Sequence, residues 1–399
     1  MECWHSVKMG SGCQRVTAPG SHTTELKRML KNKKTVAVGL SGGVDSSVAA
    51  ALLQESGYAV FGVSMRIYDG ALTLAEDVKH ACYGPGEEED IAAAESVCKK
   101  LGIAFHAIDL RKEYQRYVID YFKAEYLAGK TPNPCIVCNQ RLKFGFLLDR
   151  AKKSGLTFDA FATGHYARVE KSGDRWLLKK AVDKSKDQSY FLYALSSAQL
   201  AHTLFPVGEF KKHRVREMAR SLGLKTADRP ESQDFIAGGD YSLLFNPKEV
   251  KAGNIVDECG NVLGKHQGIV HYTIGQRRGL GISAQRPLYV SKIDAVGNTI
   301  IVSDKEKLAS NGLIADDINL IAIDKLDRPY PVKVKIRLNQ KAVDATVYPY
   351  QNGRIKILFD EPQLSVCRAN MQFCIQRISS SGVGLSSKLY NSFLCRLRK

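Results

Sequence analysis

Thr35-Val36-Ala37-Val38-Gly39-Leu40-Ser41-Gly42-Gly43-Val44-Asp45-Ser46-Ser47 is the stretch that decides the fold. Its first half is a short apolar run with β-branched residues, which reads as a strand buried on both faces of a parallel sheet. Its second half is a Gly-rich turn running into a helix expected over Val48 to Glu55. Glycines there let backbone N–H groups approach phosphate oxygens, and the helix N-terminus adds partial positive charge. No Gly-Lys-Ser/Thr closes the turn, so it is not a Walker A loop.

Outward from this point, strand and helix patterns alternate. Tyr58 to Met65, Ala104 to Ile108 and Phe158 to Thr163 read as further strands. Glu87 to Leu101 reads as a helix, with acids in its first turn and Lys99-Lys100 in its last, as the macrodipole favours. The alternation implies an α/β fold with a doubly wound parallel sheet. After a basic helix at Lys211 to Leu222 the character changes. Residues 223–283 are Gly-rich, and short segments from Pro287 onward read as a small β-barrel. The expected division is 1–28 as a disordered or artefactual leader, 29–210 as the nucleotide domain, 211–283 as a small central RNA-binding domain and 284–399 as the barrel.

Composition narrows the function. The chain has 399 residues and a formal charge of +17, which points towards a polyanionic partner. No run of about 18 apolar residues occurs, so no membrane span is expected. Ten irregularly spaced cysteines, with one Cys-x-x-Cys at Cys135 and Cys138, fit a reducing, cytoplasmic setting with a few working thiols. That pair follows Thr131-Pro132-Asn133-Pro134, and alone it allows a redox pair, two metal ligands or a sulfur carrier. Thr163-Gly164-His165-Tyr166-Ala167-Arg168 stands at a strand's carboxyl end, where open α/β sheets bind ligands, and makes His165 a candidate site residue.

The loop Ser41–Ser47 resembles that of the ATP pyrophosphatase superfamily, whose members split ATP between its α and β phosphates. With Thr131–Asn139, Thr163–Arg168, Lys186-Asp187-Gln188-Ser189-Tyr190-Phe191 and Gly275-Gln276-Arg277-Arg278-Gly279-Leu280-Gly281-Ile282, the chain is similar to the tRNA-specific 2-thiouridylase family, in a Cys-x-x-Cys variant. The resemblance runs from about Lys33 to Val366. It implies an ATP pyrophosphatase domain, a small central domain and a C-terminal β-barrel. It implies ATP-dependent thiolation of the wobble uridine in tRNAs for Lys, Glu and Gln, through adenylation of the 2-carbonyl oxygen and release of AMP.

Carried over by position, the resemblance assigns ATP to Ser41, Gly42, Gly43, Val44, Asp45, Ser46, Ser47, Met65 and Gly164. Asp45 is also a candidate to orient Mg²⁺ or water. Cys138, with Cys135 beside it, would present the sulfur. Asp187, Gln188, Tyr190 and Phe191 match a segment near the active site and tRNA, while Lys143, Arg277 and Arg278 match tRNA-backbone contacts. A cysteine desulfurase relay is the family's usual sulfur source.

Three departures bear on this. Cys135 stands where many members have Asp. Ile236 stands where many carry a second catalytic Cys, so free sulfide becomes an alternative donor. Cys82 is expected to fill that gap, and we expected Cys82, Cys135 and Cys138 to form a three-thiolate site for a 4Fe–4S cluster, with zinc or a disulfide as rivals. The tail after Val366 lacks the family's Pro-Gly-Gln turn. From Arg368 to Lys399 it holds no acidic residue, which reads as a frameshift that makes the barrel aberrant after about residue 366. The competing functional readings are a catalytically inactive tRNA-binding protein and another ATP pyrophosphatase synthetase.

Overall fold

A computed structural model describes residues 34–72, 81–230, 234–236, 240–366, 376–377 and 393–396. The expected leader, and nearly all of the tail after Val366, lie outside the described residues.

The first strand, β1 (Thr35–Gly39), leads through the Gly-rich loop into helix α1 (Val44–Glu55). β2 (Ala59–Arg66), a short β3 (Ala81–Tyr83), helix α2 (Glu87–Leu101) and β4 (Phe105–Asp109) follow. β5 (Ala160–Thr163) comes next, then a hairpin of β6 (Ala167–Ser172) and β7 (Arg175–Lys180), and β8 (Thr203–Leu204). The main sheet has the order β4-β2-β1-β5-β8 and every pairing in it is parallel. Val36, Ala37 and Val38 at its centre are 0% exposed, which is why this stretch reads as an unbroken apolar run. Chain order reverses between β1 and β5, so their carboxyl ends diverge and leave a crevice at the switch point.

α1 starts at Val44, four residues earlier than its apolar pattern suggests, and Gly43 occupies its N-cap with no side-chain cap. α2 ends on Gly102 in the left-handed region at φ 67°, a conformation glycine adopts without strain. Its first residue, Glu87, accepts hydrogen bonds from the backbone N–H groups of Ile67 (2.7 Å) and Tyr68 (2.9 Å). That ties the exit of β2 to the start of α2.

Two helical layers cover the sheet's other face. One runs from Arg111 to Leu127, the other from Pro134 to Lys153, and each contains a π-helical insertion, at Gln115–Ile119 and Cys138–Phe146. Helix α3 (Lys212–Ser221) packs on α1 and leads to β9 (Asp234–Ile236), which pairs in parallel with β3, Tyr83 opposite Ile236.

Beyond residue 240 the described residues form strands joined by loops and short 3-10 turns. β10 (Gly253–Val256), β11 (Val262–His266), β12 (Tyr289–Asp294) and β13 (Thr299–Ser303) form a four-stranded sheet in the order β11-β10-β13-β12. The expected division between residues 283 and 284 falls inside this sheet, because β10 pairs with β13 across it. The Gly-rich region held two strands that its turn residues concealed. The C-terminal sheet is built on β14 (Ala309–Leu320), β15 (Tyr330–Val334), β16 (Val343–Pro349) and β17 (Ile355–Leu364), with short strands at Gln376–Arg377 and Phe393–Arg396 at its edges.

Candidate active site

The crevice at the switch point is a cleft of about 300 Å³. Its floor is the turn after β1, with Ser41, Gly43, Val44, Asp45 and Ser46 on the wall. Met65 faces it from the end of β2, and Gly164 and His165 from the end of β5. Cys82, Cys138, Lys143 and Gln188 complete the opposite side.

The loop is shaped by close packing. Gly42 sits at φ 70°, and a Cβ there would stand 2.4 Å from the carbonyl oxygen of Asp90. A Cβ on Gly164 would stand 2.4 Å from the backbone nitrogen of Ser46. Gly164 therefore lets β5 press against the first turn of α1, besides leaving room for a nucleotide. Inside the loop the Ser46 hydroxyl donates to the Gly43 carbonyl (3.2 Å) and accepts from the Ser41 N–H (3.3 Å). Ser47 donates to the same Gly43 carbonyl at 2.8 Å. Arg229 clamps the outside, donating to the Gly42 carbonyl at 2.8 Å while pairing with Asp90 at 2.9 Å. Glycine-lined, hydroxyl-rich and set at an uncapped helix N-terminus, the loop has the donor set a polyphosphate needs.

Asp45 has two partners of its own. Lys212 Nζ donates to both carboxylate oxygens at 2.7 Å, and the Tyr166 hydroxyl donates to Oδ1 at 2.9 Å. Lys212 also lies over the Tyr166 ring, 5.5 Å from its centroid. The expectation that Asp45 orients Mg²⁺ or water thus meets a carboxylate already engaged by a buried ammonium. Mg²⁺ usually takes one or two carboxylates plus substrate phosphates, so these residues remain compatible with an ion carried in on ATP. Sequence reading missed Lys212 because its helix reads only as basic.

At the sulfur end, Cys138 is 9% exposed and faces the cleft. Burial pushes its thiol up to about 11, while the charge of Lys143 pulls the other way. Cys82 lies on β3 and is exposed on the cleft wall. Cys135 is half-buried and is not among the described residues that line the cleft. Tyr114, buried and stacked on Tyr83 at 5.3 Å between centroids, is held well above its ordinary value by burial and then by the three nearby sulfurs. No disulfide joins Cys82, Cys98, Cys135, Cys138 and Cys259 to one another. Among the described residues no three His, Cys, Asp or Glu side chains are grouped to hold a metal ion. The three-thiolate iron–sulfur site expected at Cys82, Cys135 and Cys138 therefore has no support from this geometry. Cys98 is buried on α2.

His165 is half-buried, and its Nδ1 lies 2.8 Å from the Thr163 hydroxyl. Desolvation, and then Lys143, hold its proton affinity well below the usual value, which disfavours the imidazolium. Gln188 accepts from the Tyr166 N–H at 2.9 Å and lines the cleft. Its neighbours serve the turn. Asp187 accepts from the Ala181 N–H (3.0 Å) and the Ser189 hydroxyl (2.9 Å), the Phe191 carbonyl accepts from Asn139, and Tyr190 is buried with Lys335 over its ring. Arg277 and Arg278 are exposed on the turn Gly275–Ile282, away from the cleft wall.

Residues 34–237 match the family model described as the tRNA methyl transferase HUP domain. Residues 243–304 match the tRNA methyl transferase PRC-barrel domain, and residues 310–375 the aminomethyltransferase beta-barrel domain. The chain is 46% identical over 342 residues to the tRNA-specific 2-thiouridylase MnmA of Acetivibrio thermocellus, covering 84% of this chain and 94% of that one. It is 45% identical over 345 residues to the protein of the same name from Clostridium botulinum, covering 85% and 94%. Among solved structures, a 4-thiouridine synthetase–RNA complex with bound ATP aligns at a TM-score of 0.32 and 16% identity, over 50% of this chain and 44% of that one, a slight likeness. On identity and coverage, the chain belongs to the tRNA-specific 2-thiouridylase family.

Proposed function

We propose that the protein is an ATP-dependent tRNA-uridine 2-sulfurtransferase acting on the wobble uridine of tRNAs for Lys, Glu and Gln in the cytoplasm. The observation that carries this is one cleft holding both the loop Ser41–Ser47 and the thiol of Cys138. A phosphate cradle and a sulfur nucleophile in one 300 Å³ space suit a reaction that activates an oxygen and then replaces it.

In the first step the 2-carbonyl oxygen of uridine attacks the α-phosphate. The bond to the β-phosphate breaks, and pyrophosphate leaves against the N–H groups and hydroxyls of the loop. Mg²⁺, held by the phosphates with Asp45 as the nearest carboxylate of the loop, would neutralise their charge. In the second step sulfur adds to C2, and the C2–O bond breaks with its electron pair departing on AMP. Carbonyl oxygen is a poor leaving group, and AMP is a good one.

The sulfur travels as a persulfide on Cys138 supplied by a desulfurase relay. After its terminal sulfur has bonded to C2, a second thiolate attacks Sγ of Cys138. The sulfur stays on the base, a protein disulfide forms, and a thiol reductant reopens it. Cys82 is the second thiol, since it lines the same cleft as Cys138. Free sulfide is the second reading, favoured by Ile236 itself, which is 0% exposed and carries no thiol. The methyl transferase wording of the matching family models does not suit this cleft, where the donors favour polyphosphate and the nucleophile is sulfur.

The test is a reaction with unmodified tRNA, Mg-ATP and a sulfur source, read as 2-thiouridine by mass spectrometry of nucleosides. We expect product from the native chain, and none from Cys138→Ser although pyrophosphate is still released. Bound tRNA with neither pyrophosphate nor thiouridine would establish an inactive binder instead.

A further inference from the structure

Cys138 opens the π-helical segment Cys138–Phe146, between α-helical turns at Pro134–Val137 and Leu147–Lys153. In an α-helix, five steps of about 100° would leave Lys143 roughly 140° around the axis from Cys138. Leu142 would share its face instead. The π segment closes wider, i→i+5 turns, which bring the fifth residue back towards the face of the first. The structure follows that geometry. Cys138 and Lys143 both line the cleft, whereas Leu142 is 0% exposed in the core.

Lys143 is also the one lysine or arginine among the described residues that line the cleft. The cleft's carboxylates are engaged elsewhere: Asp45 by Lys212, Asp90 by Arg229, and Glu87 by the N–H groups of Ile67 and Tyr68. His165 on the same wall is disfavoured as a cation by desolvation and by Lys143 itself. Cys138, Cys82 and Cys135 all lie close enough for Lys143 to feel them. Burial pulls its ammonium down, and the three sulfurs more than offset that.

We propose that Lys143 is the cation of the sulfur site, stabilising the negative charge of the Cys138 sulfur as thiolate and as persulfide, and that it is not a tRNA-backbone contact. The inference rests on the cleft being the thiolation site. A backbone contact needs an ammonium turned to solvent, as the exposed Arg277 and Arg278 are, whereas Lys143 is half-buried beside a thiol. The π insertion is then the local device that puts the charge there.

The experiment compares the native chain with Lys143→Met and Lys143→Arg in three readouts. These are the single-turnover burst of pyrophosphate with tRNA and ATP, the kcat and KM for thiouridine, and the rate of iodoacetamide alkylation at Cys138 at pH 8, followed in its tryptic peptide. For Lys143→Met we expect the burst to stay within about twofold, kcat to fall about fiftyfold or more, and Cys138 alkylation to slow about tenfold, the equivalent of one pKa unit. Lys143→Arg should recover most of both losses. Loss of the burst in step with thiouridine would make Lys143 a phosphate clamp and overturn the proposal. So would an effect confined to the KM for tRNA, or unchanged alkylation. Should the Met variant not fold, Lys143→Gln carries the same readouts. A native chain that makes no thiouridine would sink the sulfurtransferase reading, while the alkylation comparison still decides the role of Lys143.

Discussion

Gly164 and Asp45 show how single residues set the nucleotide site. Gly164 has no space for a methyl group, since its Cβ would meet the Ser46 backbone nitrogen at 2.4 Å and the Asp45 carbonyl carbon at 2.6 Å. Both obstacles are main chain, so the first turn of α1 must move. Gly164→Ala should therefore cut pyrophosphate release at least about tenfold, as a misplacement of this order does in a pre-organised site, with tRNA affinity kept. Unchanged pyrophosphate release would show that the loop tolerates the shift.

Asp45 holds Lys212, which is 8% exposed. Removing one partner of a buried pair leaves the other charge uncompensated. Asp45 keeps 27% of its side chain exposed, so we expect Asp45→Ala to cost roughly 2 kcal/mol, below the range for fully buried pairs. Adding Lys212→Met should return part of it, as urea unfolding of the three variants would show. A loss in the double variant equal to the sum of the two single losses would mean the pair is not coupled. The glycines and Asp45 are legible in the sequence because the motif is local and follows a strand. Lys212 is not, because its partner lies 167 positions away and only the packing of α3 on α1 brings them together.

At the scale of elements, two structures decide what the sulfur end contains. The π segment is the first. Helix reading by apolar period assumes 3.6 residues per turn, and a lysine five places after a cysteine then points away from it. The resemblance had set Lys143 among the tRNA-backbone contacts, and nothing in the residue types marks the insertion that turns it towards Cys138. The second is the β3–β9 pair. Ile236, which the resemblance sets where many members carry a second Cys, is buried opposite Tyr83, and Cys82 is the residue next to Tyr83 on the paired strand. Cys82→Ser should then stop multiple turnover with a persulfide donor after one sulfur is transferred, and leave turnover with free sulfide intact. Thiouridine formed per enzyme under each donor reads this directly. Full turnover with the persulfide donor would remove Cys82 from the route and leave Cys135 as the resolving thiol.

At the scale of the molecule, the chain joins an α/β nucleotide domain to two β sheets, and its charge is spread unevenly with respect to the cleft. The alternation of strand and helix was readable because each parallel strand is an unbroken apolar run. The four-stranded sheet was not, because β10 and β11 are short and interrupted by the turn Asp257–Asn261, and a parallel partner 45 residues on supplies their pairing. The formal charge of +17 is far larger than a cleft with one lysine requires. Most of it must act elsewhere, and Arg277 and Arg278 stand exposed on a turn that Gly275, Gly279 and Gly281 shape through φ values of 84°, 74° and 65°. Backbone phosphates are the natural partners of such exposed guanidinium groups, and each neutralised phosphate releases counterions. Replacing both arginines with alanine should weaken tRNA binding and lower the slope of log K against log salt by about 1.5–2, with ATP binding untouched. Filter binding across a salt series measures this. A slope that does not change would place the tRNA on another face of the protein. A slope that falls together with ATP affinity would mean that the turn reports to the cleft rather than to the RNA.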